Sequence, residues 1–186
     1  MKGPRQAGFS LLELLVTLIV IVLVTSLASL TVNSGGQDIK LEAQVRSLAE
    51  VASYALDEAQ MMGRDYGLLL QRDDVDGDTV FRYEWRERRL DGWQIPESGK
   101  DVFTGQTLPL GLEIRLALED APVEEIGLDG VQEDASPQVV FYSSGETTAG
   151  TIDIIRQDKG ELLWRVQWDL LGRFKVLPRG EAPEDE

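Results

Sequence analysis

One carboxylate, Glu13, stands at the start of a stretch of chain in which a charge is costly. Residues 14–32 carry no charged side chain, and no basic residue lies near Glu13 in the sequence. A carboxylate at the middle of a bilayer costs about 2.5–3.5 kcal/mol on insertion scales, and somewhat less near the interface. An ionisable residue in such a segment indicates a functional site, and Glu13 needs a partner of opposite charge.

A second set of carboxylates, Asp74, Asp76 and Asp78, has the alternate spacing with which a calcium loop begins. An EF-hand loop starting at Asp74 would continue with glycine and then with a bidentate glutamate, at the positions where this chain has Thr79 and Trp85. The sequence therefore favours an Asp-rich hairpin turn, and calcium binding by residues 73–78 stays open.

The composition argues against several classes of protein. The chain has no cysteine and no histidine, so it lacks thiol chemistry and the most common general base and metal ligand. Its formal net charge of −15 argues against a nucleic-acid partner, whose phosphates require clustered lysine and arginine. We expect no catalytic residue, no metal and no cofactor, and we predict that the protein is not an enzyme.

Residues 14–32 have the apolar character of a membrane span, for which a helix needs about 20 residues. Lys2 and Arg5 precede the span, so the positive-inside rule places the N-terminus in the cytoplasm and the later chain outside it. Two plainer interpretations stay open. One is a cleaved secretory signal, although the run is long and no A-x-A-like site follows it. The other is a simple anchor in which Glu13 is incidental.

The residues Gly8-Phe9-Ser10-Leu11-Leu12-Glu13 resemble the processing site of type IV pilins and of type II secretion pseudopilins. In that family a short basic leader ends in glycine, a prepilin peptidase cuts after it and methylates the new N-terminal residue, and glutamate is the fifth mature residue. The resemblance implies cleavage between Gly8 and Phe9, N-methylation of Phe9 and an assembly role for Glu13. A buried ion pair between Glu13 and a neighbour's new amine would fix the register of packed subunits.

A second helical pattern begins at Asp38, after Gly35-Gly36, where we expect a flexible point. Apolar residues then recur in steps of four and three, which predicts one buried stripe on a helix that Gly63 ends. The stripe consists of Leu41, Val45, Leu48, Ala52, Ala55, Ala59 and Met62.

From Tyr66 onward the apolar period changes to two, which predicts antiparallel strands. The predicted strands are residues 68–72, 79–86, 112–118, 139–143, 152–156, 161–168 and 173–177, with a further short strand near 123–128 left open. Two pairs of them form hairpins, through Asp76-Gly77 and around Asp158-Lys159-Gly160. Two shared faces are expected, one of Phe81, Tyr83 and Trp85 and one of Leu162, Trp164, Val166 and Trp168.

These patterns predict an α+β fold. A long N-terminal helix, half transmembrane and half amphipathic, is expected to pack on an antiparallel β-sheet or β-sandwich head, and the resemblance implies that this fold is of the type IV pilin-like kind. The expected parts are a cleaved leader (residues 1–8), a transmembrane and assembly helix (9–32), a periplasmic amphipathic half (33–63), the β head (64–177) and a disordered acidic tail (178–186).

The segment from Pro137 to Gly145, followed by Gly150 and Ile152, is similar to a segment of the H-type minor pseudopilins, the GspH family; the spacing of Trp93 and Pro96 fits that group loosely. The resemblance implies a single-pass inner-membrane subunit with a periplasmic head, at or near the tip of the pseudopilus that helps export folded proteins across the outer membrane. It also implies its partners: other minor pseudopilins, the major pseudopilin, the prepilin peptidase, and secreted exoproteins or the outer-membrane secretin.

Two other functions stay open from the sequence. One is a minor pilin of a true type IV pilus. The other is a single-pass, membrane-anchored periplasmic sensor or binding domain.

Overall fold

A computed structural model describes residues 11–96, 101–119 and 135–181, and within the first range the side chains of residues 26–37 are outside the description. The described elements are one long helix, a short 3-10 turn at Asp101–Phe103 and nine strands. In chain order they are α1 (Leu11–Met62), β1 (Tyr66–Val75), β2 (Asp78–Arg89), β3 (Gly92–Gln94), β4 (Gln106–Thr107), β5 (Leu112–Leu118), β6 (Val139–Phe141), β7 (Gly150–Arg156), β8 (Glu161–Trp168) and β9 (Lys175–Pro178).

The chain forms two compact units, Met1–Lys40 and Leu41–Glu186. The described part of the first unit is helical throughout, including Gly35 and Gly36, where the sequence suggested an interruption. Two glycines lower helix stability by about 2 kcal/mol relative to alanine, which is not enough to end the helix at this point. The second unit, the head, contains the rest of α1 and both sheets.

The head has two antiparallel sheets. In the first, the strand order is β3-β2-β1-β6, and β4 also pairs with β2. In the second, the order is β5-β7-β8-β9. The long β1–β2 hairpin turns at Asp76-Gly77, where both residues have positive φ angles of 56° and 89°. That is the type I′ geometry that an Asp-Gly pair favours, so the predicted hairpin is confirmed.

One hydrophobic core joins α1 to both sheets. The predicted stripe is buried from Leu41 to Ala59, and Ala49 and Leu56 widen it. Met62 was wrongly included, since 54% of it is exposed. It is the last helical residue, and the chain turns at Gly63 (φ 63°) before β1 begins.

Aromatic side chains of the first sheet and of the segment between β8 and β9 meet on this core. Phe81, Tyr83 and Trp85 are each at least 95% buried, which confirms the predicted face of β2. Ring contacts then run from Trp85 to Phe141 and on to Phe174, with centroid distances of 6.0 and 6.2 Å. Burial raises the pKa of Tyr83 to about 12, while a hydrogen bond with the Gln44 side chain opposes the shift.

Several strand predictions need correction. The two short strands β3 and β4 were missed, because three and two residues are too few to show a period of two. The face of β8 is interrupted by a register shift between Ile154 and Ile155. A bulge adds one residue to a strand and so reverses the alternation beyond it. Leu163 consequently packs on the core, whereas the sequence pattern had placed Leu162 there.

The disordered acidic tail was predicted to begin at residue 178, which is too early in the chain. Pro178 belongs to β9 and pairs with Trp164, and the Arg179 amide donates a hydrogen bond to the Leu163 carbonyl at 3.0 Å. These backbone bonds hold the chain on the sheet, whereas the proline and the acidic composition had suggested disorder. Residues 182–186 and the suggested strand at 123–128 lie outside the described residues.

Side chains close both edges of the first sheet. The Gln138 amide accepts a hydrogen bond from Leu70 N–H (2.8 Å) and donates one to the Leu70 carbonyl (3.0 Å). It thus supplies the hydrogen-bond partners of Leu70 just before β6 begins at Val139. On the other edge, Arg86 donates to the Trp85 carbonyl (3.1 Å) in the gap between β3 and β4. Such closed edges oppose pairing with foreign strands.

The turn between β8 and β9 requires glycine at position 172. Gly160 provides a matched control, because it has a similar backbone conformation in open space. Gly172 has φ +66°, and an added methyl group would collide with Leu56 Cδ2; Gly160 has φ +62° with open space around it. The left-handed conformation alone costs about 1–2 kcal/mol for a non-glycine residue. Overpacking adds about 1–3 kcal/mol.

We therefore expect Gly172→Ala to lower the free energy of unfolding by more than Gly160→Ala does. The urea midpoints of the full-length variants in detergent measure this difference. Equal losses in the two variants would show that the contact between this turn and α1 is not tight.

Candidate assembly site

The residues that the sequence selects for processing and assembly lie at the N-terminal end of α1. Gly8 and Phe9 lie outside the described residues. Glu13 is in the first turn of α1, and its side chain is exposed. Glu13 therefore faces outward, where a partner can reach it.

The helix around Glu13 is apolar on every side. Twelve leucine, isoleucine and valine side chains between positions 11 and 24 are exposed by 49–82%. They are Leu11, Leu12, Leu14, Leu15, Val16, Leu18, Ile19, Val20, Ile21, Val22, Leu23 and Val24. A helix that is hydrophobic all round requires lipid or other protein around it. This surface is therefore suited to a membrane or to helices of neighbouring subunits.

Two threonines in this segment satisfy their hydroxyl groups within the helix. Thr17 Oγ1 donates to the Glu13 carbonyl at 2.7 Å, and Thr25 Oγ1 donates to the Ile21 carbonyl at 2.8 Å. A hydroxyl that bonds its own helix does not expose an unsatisfied donor to an apolar environment. Both threonines are thus compatible with the apolar surface around them.

Within the part of the chain that the structure describes, no helix is both long enough and apolar enough for a membrane crossing. The side chains of residues 26–32, at the end of the predicted span, are outside that description.

The carboxylates of residues 73–78 are used inside the β1–β2 hairpin. Asp74 Oδ1 accepts a hydrogen bond from Gly77 N–H at 3.0 Å, and Asp73 Oδ2 lies 3.3 Å from Arg82 Nε. Among the described residues, no group of three or more histidine, cysteine, aspartate or glutamate side chains could hold a metal ion. Asp73 and Asp74 therefore have polar partners inside the hairpin.

Sequence reasoning missed a second surface feature, the turn of residues 169–174 between β8 and β9. Asp169 organises it: Oδ1 accepts hydrogen bonds from the amides of Leu171 (3.0 Å) and Arg173 (3.1 Å), and Oδ2 accepts one from Arg173 Nε (2.6 Å). The turn displays Leu170 and Leu171, which are 58% and 62% exposed. The signal in the sequence was Asp-Leu-Leu-Gly, two apolar residues between an aspartate and a glycine.

The hydrogen bond from the Arg173 side chain, together with that from its backbone amide, holds the pKa of Asp169 below its usual range. The ionised carboxylate is thus the form that the folded turn favours.

An apolar helix that follows the Gly8–Glu13 motif in the sequence and continues into a two-sheet β head is typical of the class of pilin-like subunits. Comparison with known proteins agrees. Residues 3–29 match the prokaryotic N-terminal methylation motif. Residues 44–172, more than half of the chain, match the family model of the type II transport protein GspH. The chain therefore belongs to the GspH family.

Relatives of known name support this assignment. Type II secretion system protein H of Aeromonas hydrophila is 26% identical, over 99% of this chain and 100% of its own. Its namesake in Pseudomonas aeruginosa is 30% identical, over 78% of this chain and 80% of its own. The structure of the minor pseudopilin EpsH from the type 2 secretion system of Vibrio cholerae superposes with a TM-score of 0.59 at 24% identity, covering 76% and 97% of the two chains.

These matches confirm the predicted fold class and the resemblance seen in the sequence. The protein has the structural role of a minor pseudopilin in a type II secretion system, which sets aside the pilus and sensor interpretations. It associates with other components of the pseudopilus, and the methylation motif implies a membrane-anchored periplasmic protein.

Ionised Asp169 should stabilise the head in a pH-dependent way. Because its folded-state pKa is lowered, its contribution is present above the ordinary aspartate pKa of about 3.9 and is lost as the pH falls through the folded-state value. We expect Asp169→Asn to lower the urea midpoint at pH 7, with the difference from the original protein vanishing in strong acid. Asp158→Asn, in the exposed β7–β8 turn, is the control. A deficit that persists unchanged in acid would contradict the ionic role.

Proposed function

We propose that the chain is made with a leader of residues 1–8, cut between Gly8 and Phe9 by a prepilin peptidase and N-methylated on Phe9. The match of residues 3–29 to the methylation motif supports this step. The cut lies before the apolar run, so the mature protein keeps its helix. It also gains a charged amine on Phe9, four positions before Glu13 in the sequence.

The mature helix, residues 9–32, then holds the protein in the inner membrane as a single span, with residues 33–177 in the periplasm. The observation that carries this proposal is the ring of exposed apolar side chains from Leu11 to Val24. Lys2 and Arg5 give the orientation, since basic residues remain on the cytoplasmic side.

In this proposal the protein functions by assembling with other subunits and not by catalysing a reaction. The head joins other minor pseudopilins and the major pseudopilin at or near the tip of the pseudopilus, which helps move folded exoproteins towards the outer-membrane secretin. Support comes from the related proteins that are named as components of this secretion system. The −15 net charge of the chain makes nucleic acid an unsuitable partner.

Glu13 acts in this assembly by pairing with the methylated amine of a neighbouring subunit. In an apolar environment the ion pair is worth little in itself, but removing one partner leaves an uncompensated charge, at a cost of about 3–5 kcal/mol. The pair thereby penalises every axial register except the one that brings carboxylate and amine together. Glu13 thus determines where subunits stop as they slide past each other.

Replacement of Glu13 tests this mechanism in a host strain from which the gene has been deleted. The deletion itself should stop the appearance of exoproteins in the medium, and the unaltered gene should restore it. We expect Glu13→Ala to reach the membrane in normal amounts but to reduce secretion by at least about tenfold, because about 1.4 kcal/mol already corresponds to that factor. Asp38→Ala, which removes an exposed carboxylate from the same helix, should secrete normally.

Normal secretion by the deletion strain would refute the proposed function itself. Normal secretion by Glu13→Ala in a system that requires the gene would refute only the ion-pair mechanism.

A further inference from the structure

A groove runs along the surface of the head between α1 and the β8–β9 turn. One wall is a face of α1 that includes Arg46, Glu50 and Asp57, and the other wall is the turn with Leu171 and Arg173. Apolar side chains, among them Leu56 and Phe174, form its floor, and the volume is about 480 Å³. We call this feature the α1–β9 groove. The pilin-like fold provides its two walls, but the assembly site described above makes no use of it.

The charges of the groove leave an acidic excess. Arg46 is paired with Glu42 (Nη2 to Oε1, 2.9 Å), and Arg173 is paired with Asp169 (Nη2 to Oδ2, 2.6 Å). Glu50 and Asp57 are exposed, and neither forms an ion pair within the described residues. Both basic side chains are therefore already neutralised, and two carboxylates remain on the α1 wall.

The turn offers an apolar anchor beside these carboxylates. Leu171, which lines the groove, is 62% exposed, and its neighbour Leu170 is 58% exposed. The three hydrogen bonds to Asp169 fix the backbone that carries them, and Gly172 lets the turn lie against Leu56. An apolar residue whose backbone is already held in place loses less conformational entropy on binding than one on a mobile loop, which favours binding.

We propose that the α1–β9 groove receives a periplasmic segment of another pilin-like subunit, one that places lysine or arginine beside apolar side chains. This inference rests on the proposed function. The basic groups would meet Glu50 and Asp57, and the apolar groups would cover Leu171 and the floor. Opposite charge across an interface selects the partner and sets its register.

Charge also argues against a second copy of this chain as the occupant. The chain has 33 acidic and 18 basic residues, so two copies repel each other. A different subunit of the same filament is favoured because the groove is built on α1, the same element that carries Glu13 and the assembly surface.

Site-directed cross-linking tests the proposal in cells that carry the complete secretion system. The chain has no cysteine, so Ser53→Cys places a single thiol in the groove. A reagent with a maleimide at one end and an amine-reactive ester at the other would join this thiol to a nearby lysine. We expect an adduct with another pseudopilin, identified by mass spectrometry. Asp158→Cys, in the exposed β7–β8 turn, should give none.

Charge reversal makes the test specific. Combining Glu50→Arg with Asp57→Arg should reduce both the adduct and secretion by at least tenfold, whereas Asp158→Arg, with its single reversal, should change neither. Arginine is used because the amine-reactive ester does not attack a guanidinium group. Leu171→Ala, which shortens a side chain that is 62% exposed, should reduce the adduct in a head whose urea midpoint is unchanged. It therefore tests the groove even if the double reversal affects folding.

An adduct with a second copy of this chain or with a secreted protein would overturn the proposal, as would an adduct unaffected by both groove variants. The absence of any adduct at Ser53→Cys in a secreting strain would overturn it as well. Should the deletion strain secrete normally, the proposed function would fail first; if secretion requires the gene and tolerates the groove variants, the groove proposal fails alone.

Discussion

The close approach of two β-sheets to one face of α1 is the constraint on which the head depends. Ala52, Ala55 and Ala59 are at least 98% buried on that face. Their methyl groups let the sheets come near enough for Trp85, Phe141 and Phe174 to join in one aromatic core. Larger side chains at these positions would force the sheets away and overpack the core. Because this face is committed to the core, the polar face of the helix remains at the surface, where Glu50 and Asp57 border the groove.

The N-terminal part of α1 obeys a different constraint. Its apolar side chains surround the helix on all sides, so no single face can be buried against the protein's own sheets. Such a surface is stable in lipid or among similar helices, and in the proposed assembly Glu13 distinguishes one packing register from another. One helical element thus has a one-sided apolar pattern where it supports the head and an all-round apolar pattern in its N-terminal part.

The sequence predicted most of what depends on periodicity. The bounds of β5 and β8 agree with the predicted strands, and six of the seven predicted stripe residues are buried. The hairpin at Asp76-Gly77 was also predictable, because a type I′ turn demands residues that accept positive φ. Glu13 could be selected because a charge at the start of an apolar run is rare and costly.

What the sequence could not predict depends on contacts between distant residues. The bulge opposite Ile154-Ile155 reverses the alternation of β8, and nothing in its composition announces it. Gln138 and Arg86 close sheet edges through side-chain hydrogen bonds that require the neighbouring strands to be in place. The α1–β9 groove joins parts of the chain more than 100 residues apart, and only folding brings the acidic face of the helix next to Leu171.

The most direct test of the central claim is the N-terminal sequence and intact mass of the full-length protein extracted from the membranes of its native host. The account predicts a mature chain that begins at N-methylated Phe9 and retains the whole apolar helix with Glu13. A chain that begins at Met1 would contradict processing by a prepilin peptidase. A chain that begins beyond Val32 would show that the helix is a removed secretory signal, and the assembly role of Glu13 would be lost with it.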